Sequence, residues 1–131
     1  MSTECLVYLP SMFPIHKISI DPVSYFPNCG YIEIRGSGRF ESYLEHFLKN
    51  KKNVCENCYI FGSDGNTMIQ KDRHENDLTA IPLDIFLDAL VRFFGRESEN
   101  YSARIAIRTI EVFMEELPKS NPESMCVPFF K

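Results

Sequence analysis

The run of residues 30–50, Gly-Tyr-Ile-Glu-Ile-Arg-Gly-Ser-Gly-Arg-Phe-Glu-Ser-Tyr-Leu-Glu-His-Phe-Leu-Lys-Asn, constrains the fold more than any other part of the chain. Its hydrophobic period changes midway. Tyr31, Glu33 and Arg35 alternate with Ile32 and Ile34, the period-two signature of a strand with one face buried. Gly36-Ser37-Gly38 turns the chain. Phe40, Tyr43, Leu44, Phe47 and Leu48 then follow the spacing of a helical apolar stripe, which leaves Glu41, Glu45, His46 and Lys49 for water. Glu45 and Lys49 form a favourable i,i+4 pair, and the lysines that follow suit the negative end of the helix. A strand, a glycine turn and a helix start, flanked by Arg35 and Arg39, form a unit that can present N–H groups and cations to an anion.

The rest of the chain gives further elements. Residues 57–61 predict a second strand, ended by Gly62-Ser63-Asp64-Gly65-Asn66. Asp64-Gly65 also suits a hairpin turn between residues 59–61 and 67–69, and both readings stand. Residues 70–79 are polar and predict a loop. Pro82 falls in the first turn of a second helix, whose apolar face is Leu83, Phe86, Leu87, Leu90, Val91 and Phe94. Asp84, Asp88 and Arg92 line the opposite side, and Gly95 is a natural cap. Residues 103–114 carry two patterns: Ile105 and Ile107 alternate, while Ile110, Phe113 and Leu117 keep a helical spacing. The density of Ile105, Ile107, Thr109, Ile110 and Val112 selects a strand. Residues 117–124 then turn into a last strand at 125–130, with Pro128 expected at a sheet edge.

Pro10, Pro14, Pro22 and Pro27 break up residues 1–29, which predict an extended N-terminal arm with one short strand at 17–21. The expected fold is therefore α+β: a two-layer sandwich in which a mixed β-sheet carries two helices on one face, in the order β-α-β-α-β-β after the arm. Residues 30–131 form one expected domain, large enough to bury an ordinary core.

A net charge of −4 excludes a surface coated in basic residues, so any nucleic-acid contact needs a local patch. Lys71-Asp72-Arg73-His74-Glu75 is of mixed sign and reads as a solvated loop. The first apolar stretch, residues 5–9, is broken by Pro10 and does not read as a secretory leader, and no run reaches membrane-spanning length. The 5 cysteines are scattered, and the expectation is free thiols in an intracellular setting, nuclear or cytoplasmic, with no membrane partner. In that setting Asn100-Tyr101-Ser102 is a chance match to a glycosylation acceptor.

Gly36-x-Gly38 lacks the third glycine of a dinucleotide fingerprint, so no cofactor is expected. Cys55-x-x-Cys58 with His74 lacks a fourth zinc ligand, which Cys29, His46 or Cys126 would have to supply through the fold. A redox pair belongs at a helix N-terminus, whereas Cys55 and Cys58 enter an expected strand and project to opposite faces. No metal is expected. His16, His46 and His74 lie in three separate contexts, and neither a nucleophile elbow nor a His-Glu-x-x-His is present, so the chain reads as a non-enzyme. The candidate site is a nucleic-acid-binding turn, Arg35, Gly36, Gly38 and Arg39, where two arginines can hold a phosphate backbone. The other reading of these arginines is a solvated charged face beside Glu33 and Glu41.

Ile32-Glu33-Ile34-Arg35-Gly36-Ser37-Gly38-Arg39 followed by Tyr43-Leu44, with Tyr59-Ile60-Phe61-Gly62-x-x-Gly65 and Ala80-Ile81, resembles the Alba family. These are small nucleic-acid-binding domains that include protein subunits of eukaryotic ribonuclease P and MRP. The resemblance covers residues 31–130 at the level of element order, and implies a β-hairpin around residues 117–124. The chain departs from that pattern in the polar stretch after Gly65, and in Glu115, Glu116 and Glu123 at the hairpin, which argue against DNA binding and leave either RNA contact through Arg35 and Arg39 or a subunit that mainly pairs with another chain. The implied function is a non-enzymatic subunit of a ribonucleoprotein or nucleic-acid-processing complex, acting through homo- or heterodimerisation and RNA contact. The hairpin reading of residues 59–70 resembles instead a roadblock- or longin-type scaffold. That resemblance implies an acidic protein-protein interaction adaptor without nucleic-acid binding.

Overall fold

A computed structural model describes residues 3–9, 25–26, 30–51, 54, 59–61, 68–116 and 125–131. The expected strand at 17–21, the turn at 117–124, His16, Cys29, Cys55 and Cys58 lie outside these residues. In chain order the elements are β1 (Glu4–Leu9), β2 (Tyr25–Phe26), β3 (Gly30–Arg35), α1 (Gly38–Leu48), β4 (Tyr59–Phe61), β5 (Met68–Ile69), β6 (Ile81–Pro82), α2 (Leu83–Phe94), α3 (Tyr101–Glu116) and β7 (Met125–Phe130). The class is α+β. A 4-stranded sheet has the order β3-β1-β7-β6 and is antiparallel at every step. A smaller 3-stranded sheet has the order β2-β4-β5, with β2 parallel to β4. Strands β4 and β5 pair antiparallel, Ile60 opposite Ile69 and Phe61 opposite Met68, as the hairpin reading requires.

Strand–turn–helix at residues 30–50 forms as its period demands. Ile32 and Ile34 pair with Val7 and Cys5 on the face that meets the helices. Phe40 and Leu44 are the buried points of α1. The Phe40 ring sits among Phe86, Phe93 and Phe94 at centroid distances of 5.9, 5.5 and 5.4 Å, joining α1 to α2. Such aromatic contacts add to the area each ring buries. Residues 4–9, assigned by sequence to the arm, are extended as expected, but they run as an inner strand. Cys5, Val7 and Leu9 face the helical core, which also takes Cys126 and Phe130 from β7. On the other face Met125 and Val127 meet Leu78, Ala80 and Ile69.

The strand expected at residues 103–114 is a helix. Ala103, Ala106, Ile107 and Ile110 are buried at helical spacing. A strand would put Ile105 and Ile107 on one face; instead Ile107 is 2% exposed and Ile105 46%. The β-branched density misled because strand propensity mostly reflects packing context. Here the context is two alanines that let α3 lie close against its neighbours, α2 and β3. The helix layer therefore has a third member, and β7 does not pair with a preceding strand at 103–114: its neighbours are β1 and β6.

Pro128 is not on an edge strand, since β7 lies inside the sheet. Glu4 and Lys131 exchange two backbone hydrogen bonds, of 3.5 and 2.9 Å. Antiparallel alternation then makes Val7 and Pro128 a pair without hydrogen bonds, so the missing proline N–H costs nothing in the β1 ladder. It faces the side where β6 pairs only with Met125 and Cys126. No helix among the described residues is long and apolar enough to cross a membrane.

Candidate functional site

Arg35, Gly36, Gly38 and Arg39 form the passage from β3 into α1. Gly36 has φ +66°, a left-handed conformation that glycine adopts without strain. Ser37 is fully buried, and both its N–H and its hydroxyl donate to the Thr3 carbonyl, at 2.8 and 3.0 Å. Its side chain is thus unavailable as a helix cap. A Cβ on Gly38 would come within 3.3 Å of Thr3 Oγ1, so the chain before β1 packs directly on this turn.

The turn is also held from the far end of the sequence. Asn100 Nδ2 donates to the Arg35 carbonyl at 2.7 Å, and the Arg35 N–H donates to Ser102 Oγ at 2.9 Å. Asn100 Oδ1 accepts from Ser102 Oγ at 2.7 Å and from the Ala103 N–H at 3.1 Å, which makes Asn100 the N-cap of α3. Two helix N-termini therefore meet at one turn. The Asn-Tyr-Ser triplet that looked like a chance sequence match builds this junction. The missed signal was the asparagine itself, a preferred cap immediately before an ambiguous segment.

Arg35 is 73% exposed at its side chain, and its contact with Glu33 is long, 3.6 Å. An exposed pair of this kind contributes little. Arg39 is exposed and has no ion-pair partner among the described residues. It sits in the first turn of α1, where the helix dipole disfavours a cation. Helix stability therefore does not account for an arginine at this position. In the first turn of α3 the Arg104 guanidinium lies 5.5 Å from the Tyr101 ring centre.

A second feature was not legible in the sequence. Glu41, expected to face water, meets His74 of the supposed solvated loop: Glu41 Oε2 and His74 Nδ1 are 2.6 Å apart. The loop is ordered by Asp72, whose Oδ1 accepts from the His74 and Asn76 N–H groups at 2.9 and 3.0 Å. Between α1 and this loop lies a groove of about 460 Å³. Leu44, Leu48 and Ile81 are among its apolar lining, with Glu41, Glu45, Asp72 and Asp77 as its carboxylates and Lys49 and Lys51 as its cations. Nothing in local periodicity brings residues 41 and 74 together.

Cys5 and Cys126 are buried in the helical core. Burial pushes the Cys5 thiol well above its usual range; a backbone hydrogen bond at Phe129 opposes this, and Glu41 and Asp72 add to it. His46 is exposed on α1. Among the described residues no 3 His, Cys, Asp or Glu side chains converge as a metal site. No protein-family model, no curated protein and no solved structure matches the chain.

Proposed function

We propose that this chain is a non-enzymatic, Alba-like subunit of a ribonucleoprotein or nucleic-acid-processing assembly in the nucleus or cytoplasm. It pairs with a protein partner and touches RNA phosphates through Arg35 and Arg39. One observation carries the RNA contact: two helix N-termini meet at a glycine turn beside these two exposed arginines, on a protein of net charge −4. Helix N-termini and guanidinium groups both favour a phosphate, and a phosphate there relieves the unfavourable placement of Arg39. The backbone amides and arginines position an RNA chain without reading its bases.

The test is binding of a labelled single-stranded RNA across a salt series. Two phosphate contacts predict a log–log slope of about −1.4. Arg35→Glu with Arg39→Glu should abolish that component. Binding that ignores salt, or that survives the double substitution, refutes the RNA contact.

A second reading, an interaction adaptor with no nucleic-acid contact, is supported by the antiparallel β4–β5 pair and by the apolar side chains exposed on α3. It predicts a stoichiometric protein partner that survives nuclease treatment.

A further inference from the structure

Among the described residues, the outer face of α3 leaves apolar side chains exposed. The helix buries Ala103, Ala106, Ile107 and Ile110, yet also carries Tyr101, Ile105 and Val112 at 68%, 46% and 39% exposure. Among the described residues only Tyr31 joins them as an exposed large apolar side chain. Arg104 and Arg108 are exposed between them, and the five positions fall along one side of the helix. The result is an apolar stripe with two cations, Arg104 and Arg108, in its first half and one exposed carboxylate, Glu115, beyond Val112.

The same chain holds the complement. The groove beside α1 has an apolar lining and four carboxylates against two lysines. One of those lysines, Lys51, is drawn 4.8 Å over the Phe47 ring. Glu45 is exposed and has no ion-pair partner among the described residues, and Asp77 has only a long, exposed contact with Lys71 at 3.6 Å. The stripe of a given chain faces solvent, so it does not fill that chain's own groove.

We propose that the groove beside α1 receives the outer face of α3 from a second copy, reciprocally, in a two-fold dimer. Ile105 and its apolar neighbours meet the groove's apolar surface, and Arg104 and Arg108 meet Glu45 and Asp77. A two-fold pair makes this contact twice, because residue i of one copy meets residue j of the other and the reverse. The groove holds a few side chains and not a helix, so α3 lies across its mouth. This inference rests on the pairing half of the proposed function and is independent of RNA.

The test is sedimentation of nuclease-treated protein. The wild type should form a dimer that weakens as salt rises. Arg104→Glu with Arg108→Glu, and separately Glu45→Lys with Asp77→Lys, should each weaken association at least tenfold. An equimolar mixture of the two variants should regain the dimer, because both contacts then join opposite charges. Ile105→Ser, a milder change, should weaken the wild-type dimer. A monomeric wild type, a dimer indifferent to these substitutions, or a mixture that stays monomeric overturns the proposal. Arg35→Glu with Arg39→Glu should keep the dimer, so that failure of the RNA contact and failure of the interface are separately visible.

Discussion

Asn100 donates through its side chain to the backbone carbonyl of Arg35, 2.7 Å away in space and 65 positions away in sequence. With its Oδ1 it caps α3. One residue thus fixes both the turn before α1 and the start of α3. Asn100→Ala should cost about 1–2 kcal/mol, a lost cap together with a lost hydrogen bond. Asn100→Asp keeps the cap but cannot donate to Arg35, and should fall between alanine and the wild type. Urea denaturation measures both.

The two glycines of the turn should respond differently. Gly36 needs its positive φ, so Gly36→Ala is strained at about 1–2 kcal/mol even though its Cβ would meet Asn100 Nδ2 at an ordinary 3.6 Å. Gly38 begins a helix, where alanine gains about 1 kcal/mol in propensity and offsets the tight 3.3 Å approach to Thr3. In the same denaturation assay Gly36→Ala should be clearly the more damaging.

Helix and strand assignments of residues 103–114 make opposite predictions for neighbouring isoleucines. Ile110 is fully buried, and Ile110→Ala should cost about 2–5 kcal/mol. Ile105 is exposed in the single chain, and in denaturation below the association concentration it should tolerate alanine within about 0.5 kcal/mol. Matching losses at Ile105 and Ile107 would instead indicate the one shared face of a strand.

Cys5 gives a pH dependence of known sign. Its thiol pKa is raised in the native state, so the native thiol keeps its proton while the unfolded chain releases it. The Cys5 contribution is intact below the ordinary thiol pKa of about 8.5. Above that, stability falls by up to about 1.4 kcal/mol per pH unit until the native thiol itself titrates. Cys5→Ala should remove this part of the slope. In the wild type, iodoacetamide should label Cys5 only at the rate of global unfolding, as followed by peptide mass mapping.

Local sequence determined the unit at residues 30–50 and the course of α2, because a period of two or 3.6 reports which face must leave water and needs no distant residue to interpret it. The candidate turn was legible for the same reason: glycines and arginines around a helix start are all within a few positions. Residues 103–114 were not, since β-branched side chains suit either element. Burial against α2 and β3 decided between them. Tertiary structure alone drew residues 4–9 into the middle of the sheet, tied Asn100 to Arg35, and paired Glu41 with His74 beside an acidic groove. Each of these joins segments distant in the chain, and the side chains involved have no local pattern that specifies their partners.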